Sequence, residues 1–381
     1  MFTTLIQKVN VISENGASLQ IGKLISECGY NKPFVVCDKG IAGLPFVKNI
    51  LKKINESCLD YYLYSEIYAN PEDELVEKGI KECKENNCDC IVAIGGGSSI
   101  DTAKCINIMR YNEGSILDYE TMTPKDCYGF FSIPTTAGTG SELSQGAIIS
   151  DHKTHRKKLI FTDCFKEEYT ILDATLTCGL SKIQTVYTGL DVFSHAAESY
   201  TASKASPIVD LICEKVMETV VEYLPKAIAE GNDLLARERM LNAASLGGWV
   251  LMCSSDHLGH GIAHIIGAKY NMIHGRACMY GLPSMIEFIA DKLPEKIRNI
   301  GFILKADIKE DDDLNAIKNK TIEAYKNFCD KLEVVDRSPL PYKNNDLDEM
   351  ANELVTNPFL DMCPKNIEFE DAKTIMKEVL K

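Results

Sequence analysis

The spacing of apolar residues changes partway along the chain, and that change limits the possible fold more than any other feature. From about residue 17 to 178, short β-rich runs alternate with helical stretches. Pro33-Phe34-Val35-Val36-Cys37-Asp38 reads as a strand followed by Lys39-Gly40, and residues 60–67 read as a second, closed by Asn70-Pro71. Residues 72–86 then have helical periodicity, Cys90-Ile91-Val92-Ala93-Ile94 is a buried strand, and residues 100–111 form a helix. Phe130-Phe131-Ser132-Ile133-Pro134 and Thr170-Ile171-Leu172-Asp173 supply two more strands. Beyond about residue 180 the strand signals stop, and residues 206–223, 234–252, 285–304 and 314–332 all read as helices. The pattern predicts an α/β domain over residues 1–178, a parallel sheet covered by helices, and an all-α domain over residues 179–381.

No apolar run is long enough to span a bilayer, and residues 1–20 lack the apolar core of a secretory signal, so a cytoplasmic location is expected. A net charge of −14 argues against nucleic acid or an anionic membrane as partner. The 15 cysteines are scattered. The closest group, Cys83, Cys88 and Cys90, has no second pair at zinc-type spacing, so reduced and mostly buried thiols are expected.

Four of the seven histidines fall between residues 257 and 274, and His195 sits upstream beside Asp191. Asp191 and His195 are spaced i, i+4, as are His260 and His264, so on helices each pair projects from one face. A lone histidine on an apolar face is ordinarily a hydrogen-bonded core residue. Two Gly/Ala-rich segments, each with a pair at helical spacing, point instead to a divalent transition metal, which one carboxylate and several imidazoles can hold. His152 and His155 lie in a polar, charged turn and are expected to stay outside this set.

Gly95-Gly96-Gly97-Ser98-Ser99-Ile100-Asp101-Thr102-Ala103-Lys104 follows a buried strand and opens a helix. Consecutive glycines let the backbone approach a pyrophosphate, and a helix N-terminus supplies N–H groups with a favourable dipole. The spacing is not G-x-G-x-x-G, so the ordinary Rossmann fingerprint is absent. Pro134-Thr135-Thr136-Ala137-Gly138-Thr139-Gly140-Ser141-Glu142 follows the next strand and offers hydroxyls and amides. Two such loops at the C-terminal ends of adjacent strands suit a nucleotide.

These segments, with Gly189-Leu190-Asp191, His195-Ala196, Glu198, and the run His260, His264, Asn271, His274-Gly275, resemble the iron-dependent (group III) alcohol dehydrogenases. The resemblance extends from Asp38-Lys39-Gly40 to Thr356-Asn357-Pro358. It implies a dinucleotide-binding α/β domain, a helical domain as in dehydroquinate synthase-like architectures, and a metal in the cleft between them. By position it implies Asp191, His195, His260 and His274 as metal ligands, with Fe(II) or Zn(II) as the ion. His264 would then relay a proton or fix a ligand. Gly96, Gly97, Ser98 and Asp101 would surround the pyrophosphate of NAD, with Thr135, Thr136, Thr139 and Ser144 along the nicotinamide half. Lys158 matches a family lysine near the ribose, and Asn70 the Asn-Pro turn beside it. Asp38 would bind the ribose hydroxyls and repel a 2′-phosphate, favouring NAD over NADP.

The implied activity is hydride transfer between NAD and a small alcohol or aldehyde by a homo-oligomer, a dimer or larger. The family's pattern is broken at Ser254-Ser255-Asp256-His257, at Arg276-Ala277-Cys278 and at Asn357-Pro358-Phe359. These departures predict polar groups in the substrate pocket. The expected substrate is a short aldehyde with a second polar group: sulfoacetaldehyde, a semialdehyde or a hydroxyaldehyde. Competing readings are a simple aliphatic alcohol dehydrogenase, a glycerol-dehydrogenase-type zinc enzyme, a dehydroquinate-synthase-like lyase and a non-enzymatic nucleotide-binding module. The zinc type typically lacks the ligand at His195, and the lyase needs a basic phosphate cluster.

Overall fold

A computed structural model describes residues 7–57, 59–154 and 156–381 (for Asn344, the backbone alone). His155 lies outside these residues. One compact unit runs to Gly179 and a second from Leu180 to Lys381.

The first unit is built on β1 (Asn10–Ser13), α1 (Ile21–Glu27), β2 (Pro33–Asp38), α2 (Pro45–Glu56), β3 (Tyr62–Ile67), α3 (Asp73–Glu85), β4 (Cys90–Gly95), α4 (Gly97–Tyr111), β5 (Phe130–Pro134), β6 (Gly146–Ser150), β7 (Lys157–Phe161) and β8 (Tyr169–Leu172). Six strands pair in parallel in the order β1-β8-β5-β4-β2-β3. A parallel sheet covered on both faces needs strands that are apolar on both faces, which is why β2 and β4 read as continuous apolar runs. Phe34, Val36, Ile91 and Ala93 enter the core beneath α3 and α4. Val35, Cys37, Val92 and Ile94 enter the core beneath α1 and α2. Each large side chain so buried stabilises the fold by about 1.5–3 kcal/mol.

The chain leaves β2 toward β3 and leaves β4 toward β5, so the sheet reverses its winding between β2 and β4. Ligands of open α/β sheets bind outside the carboxyl ends of the strands at such a point. Asp38 ends β2, Gly95 ends β4, and Gly95 stands opposite Pro134 of β5. The antiparallel hairpin of β6 and β7 was not expected from sequence. Of the apolar run Leu159-Ile160-Phe161 in β7 only Ile160 is buried, so the run is too short and too exposed to follow the pattern of the buried strands.

Among the described residues the second unit has nine α-helices: α5 (Lys182–Thr201), α6 (Pro207–Ala229), α7 (Leu234–Ser254), α8 (Leu258–Lys269), α9 (His274–Ile289), α10 (Pro294–Ile303), α11 (Leu314–Asp330), α12 (Asn344–Val355) and α13 (Phe369–Val379). The single helix expected over residues 285–304 is two. Pro294 has no N–H to continue α9, and its fixed φ suits the first turn of α10. Conversely α6 continues past Pro225, where burial of Leu224, Ala227 and Ile228 outweighs one lost backbone bond. No helix of the described residues is long and apolar enough to cross a membrane.

Candidate metal and dinucleotide sites

Three helices build the metal candidate. Helix α5 presents Asp191, His195 and Glu198 at i, i+4 and i+7, one stripe of its surface. Helix α8 presents His260 and His264, and α9 opens with His274 and places Cys278 one turn later. Two glycines let α9 come in close. A Cβ on Gly275 would stand 1.8 Å from the Tyr187 carbonyl oxygen of α5, and one on Gly281 2.3 Å from the Gly259 carbonyl oxygen of α8.

The three imidazoles converge on one carboxylate oxygen. Asp191 Oδ1 lies 3.5 Å from His195 Nε2, 3.6 Å from His260 Nε2 and 3.6 Å from His274 Nε2. Donor atoms each about 2.1 Å from a common ion stand at such separations, and Asp191, His260 and His274 lie close enough to one another to hold one divalent ion, whereas His195 groups with His260 and Asp256. The side chains of Asp191 and His195 are 5% exposed and that of His260 2%, whereas His274 is 35% exposed and marks the solvent side.

Electrostatics separate the roles of these groups. Burial alone would raise the Asp191 carboxyl, but His195, His274 and His260 together hold it well below the usual range, so it is anionic. Burial pushes His195 down to about 4 despite Asp191, which leaves a neutral imidazole with a lone pair to offer. His260 is driven the other way. Burial opposes its charge, but Asp256, Cys278 and Glu198 prevail and raise it well above its ordinary value.

Glu198, quoted in the sequence motif without a role, organises the site. Its Oε1 is 2.6 Å from His260 Nδ1, and its Oε2 accepts from the backbone N–H of His257 at 2.9 Å and of His260 at 3.1 Å. The carboxylate thereby holds the start of α8 and turns His260 Nε2 toward Asp191, as partners of metal-ligating histidines do. Burial would raise Glu198, but His260 and His257 bring it down to about 2. The i+7 spacing from Asp191 was the available signal.

Residues expected to line the pocket turn inward instead. Ser254 donates to the Ser199 carbonyl at 2.9 Å, and His257 is fully buried with Nε2 2.9 Å from Thr201 Oγ1. Asp256 is buried 3.6 Å from His260 Nδ1, on the far side of that ring from Asp191. Arg276 binds Asp336 through both its backbone carbonyl and its carboxylate. His264 stands 5.4 Å from His274, ring to ring, and Phe359 packs edge-on against it at 5.0 Å. His152, as expected, is elsewhere, with Nδ1 2.9 Å from both oxygens of Asp73.

In the first unit, α4 begins at Gly97 with Gly96 as a cap that has no side chain to occupy the first-turn N–H groups. A Cβ on Gly97 would meet Thr139 at 2.8 Å and one on Gly96 would meet Thr136 at 3.1 Å, so the two loops leave room only for backbone. Free N–H groups at a helix start are the kind of donors that suit a phosphate. Asp38 Oδ1 accepts from Gly40 N–H at 2.6 Å, which fixes its carboxylate at the end of β2. Asn70 holds the left-handed conformation (φ 55°) in its turn.

Three other expected cofactor residues are engaged within the protein. Asp101 accepts from Ser141 Oγ and from Ile148 N–H, and Lys158 pairs with Glu120 at 2.7 Å. Ser144 Oγ is 3.3 Å from Lys104 Nζ. Lys104, fully buried, also donates to the carbonyls of Ser141, Ser144 and Gly146, pinning the loop after β5 to α4. Sequence reasoning took Lys104 only as part of the glycine motif. A lysine between the buried Ala103 and Cys105 was the overlooked sign.

Residues 9–174 match the family described as iron-containing alcohol dehydrogenase, and residues 185–380 match the C-terminal part of the Fe-containing alcohol dehydrogenase family. An NAD-dependent methanol dehydrogenase of Bacillus methanolicus is 31% identical over 96% of both chains. A sulfoacetaldehyde reductase of Bilophila wadsworthia is 30% identical over 77% of this chain and 76% of its own. The solved alcohol dehydrogenase from Oenococcus oeni is 26% identical, covers 99% of this chain and 100% of its own, and superposes with a TM-score of 0.94. Two matched halves, a full-length relative and the observed architecture agree: the chain belongs to the iron-containing alcohol dehydrogenase family and is an NAD-dependent alcohol dehydrogenase.

Proposed function

We propose that this enzyme reduces a short aldehyde with NADH, using an ion, Fe(II) or else Zn(II), held by Asp191, His195, His260 and His274. The observation that carries the reading is the convergence of three imidazole nitrogens on Asp191 Oδ1 within 3.6 Å. When bound, the ion polarises the substrate oxygen and the nicotinamide supplies hydride. Asp191 contributes the anionic donor, and Glu198 fixes the orientation of His260. His264, part-exposed beside His274, is placed to pass a proton between solvent and the substrate oxygen, or to brace His274. Gly96, Gly97 and Ser98 cradle the pyrophosphate, with Thr135, Thr136 and Thr139 beside them. The reading extends to a cytoplasmic homo-oligomer, a dimer or larger, kept soluble by its acidic charge.

For the substrate we propose an aldehyde carrying a second polar group, sulfoacetaldehyde, a semialdehyde or a hydroxyaldehyde, on the strength of the relative that reduces sulfoacetaldehyde. A specific observation favours a plain short aldehyde instead: Ser254 and Arg276 have partners within the protein, His257 is fully buried against Thr201, and Phe359 presents an aromatic ring beside His264. Steady-state kinetics with butanal, 3-hydroxypropanal and sulfoacetaldehyde separates the two. A higher kcat/KM for butanal than for both polar aldehydes establishes the plain reading.

Cofactor choice follows from Asp38. Wild-type enzyme prefers NADH to NADPH, and Asp38→Gly narrows that preference by more than roughly tenfold, since one charge clash with a 2′-phosphate costs a few kcal/mol. Equal kcat/KM for the two cofactors in wild type would show that Asp38 does not read the ribose.

A further inference from the structure

The metal candidate contains a donor that the expected ligand set omits. Cys278 lies one turn after His274 on α9, is 1% exposed, and projects from the same face as that histidine. Its Sγ stands 3.3 Å from Asp191 Oδ1, 3.5 Å from His260 Nε2 and 3.7 Å from His274 Nε2. With the 3.6 Å separations from Asp191 to His260 and to His274, five edges between these four atoms fall from 3.3 to 3.7 Å. A tetrahedron of donors around Zn(II), with bonds of about 2.0–2.3 Å, has edges of roughly 3.3–3.8 Å. These are the spacings of ligands about one centre.

Hydrogen bonding does not account for the arrangement equally well. A thiol has one proton and donates to one acceptor, whereas a carboxylate oxygen and two ring nitrogens surround this sulfur. A cation at the centre satisfies all of them together.

We propose that Cys278 is a thiolate ligand of the metal in this enzyme, sharing the ion with Asp191, His260 and His274. The inference rests on the proposed ligand set and adds a sulfur to it. Binding releases the thiol proton to solvent, one per ion. A thiolate makes the site softer, which moves its preference toward Zn(II) and Co(II).

The test is the absorption spectrum of the full chain, stripped of metal and loaded anaerobically with Co(II). Wild type shows an intense near-ultraviolet sulfur-to-cobalt charge-transfer band at one cobalt per chain. Cys278→Ser and Cys278→Ala lose that band but keep the visible d–d bands of nitrogen- and oxygen-bound cobalt. Their Zn(II) affinity falls by about ten- to a hundredfold. One bound cobalt without the band in wild type, or a band that survives in both variants, overturns the thiolate and leaves the four-residue set standing. Failure of wild type to bind cobalt, or undiminished binding in His260→Ala, overturns both.

Discussion

His260→Ala and His274→Ala each lose most of their bound metal, and turnover falls by about a thousandfold or more. The expectation follows from geometry: each change removes one of three nitrogens within 3.6 Å of Asp191 Oδ1. A bound ion supplies several kcal/mol of charge stabilisation to a developing oxyanion, and about 4 kcal/mol corresponds to a thousandfold in rate. His152→Ala is the control, because that ring is tied to Asp73 in the other unit. Elemental analysis of purified protein with matched steady-state rates decides the matter. Full occupancy and near-normal turnover in both ligand variants would sink the assignment.

The second large effect is at Glu198, which touches none of the reacting atoms. Glu198→Ala leaves His260 Nδ1 and two backbone N–H groups without their acceptor inside a buried helix contact. Breaking a buried pair of this kind costs about 3–5 kcal/mol of stability. Losing the orientation of a ligating histidine costs about ten- to a hundredfold in metal affinity. Glu198→Gln keeps an acceptor oxygen for the backbone and loses less stability than affinity. Urea melts of apo protein and zinc titration of folded protein measure the two separately. Zinc affinity within twofold of wild type in both variants would remove Glu198 from the positioning role.

The sequence made some of this visible for identifiable reasons. β2, β4 and β5 were legible because a strand buried on both faces must be apolar throughout and because Gly or Pro punctuates its end. The hairpin of β6 and β7 was not, since one strand exposes every side chain but Ile160 fully or in part. Asp191, His195, His260 and His274 were named through helical spacing and family motif, and the structure sets one nitrogen of each histidine within 3.6 Å of Asp191 Oδ1. Cys278 was noted only as a departure from the family pattern, since one cysteine among 15 carries no signal until its neighbours in space are known. Ser254, His257 and Arg276, of which some were expected to line the pocket, each have a partner within the protein. Closeness in sequence to a ligand does not say on which side of a helix turn a polar group finds its partner.

Gly275 and Gly281 bear on how mutational tolerance would read across this enzyme. Neither has an atom to offer a ligand, yet an added methyl group at either would run into a carbonyl oxygen of a neighbouring helix, which cannot swing aside as a side chain can. Alanine there pushes α9 away from α5 and α8, carrying His274 and Cys278 out of reach of Asp191. A survey of substitutions would therefore score these two positions as severely as the ligands. The residues proposed to hold the ion and the empty places that let their helices meet would form one intolerant group, and only the first half of it is chemistry.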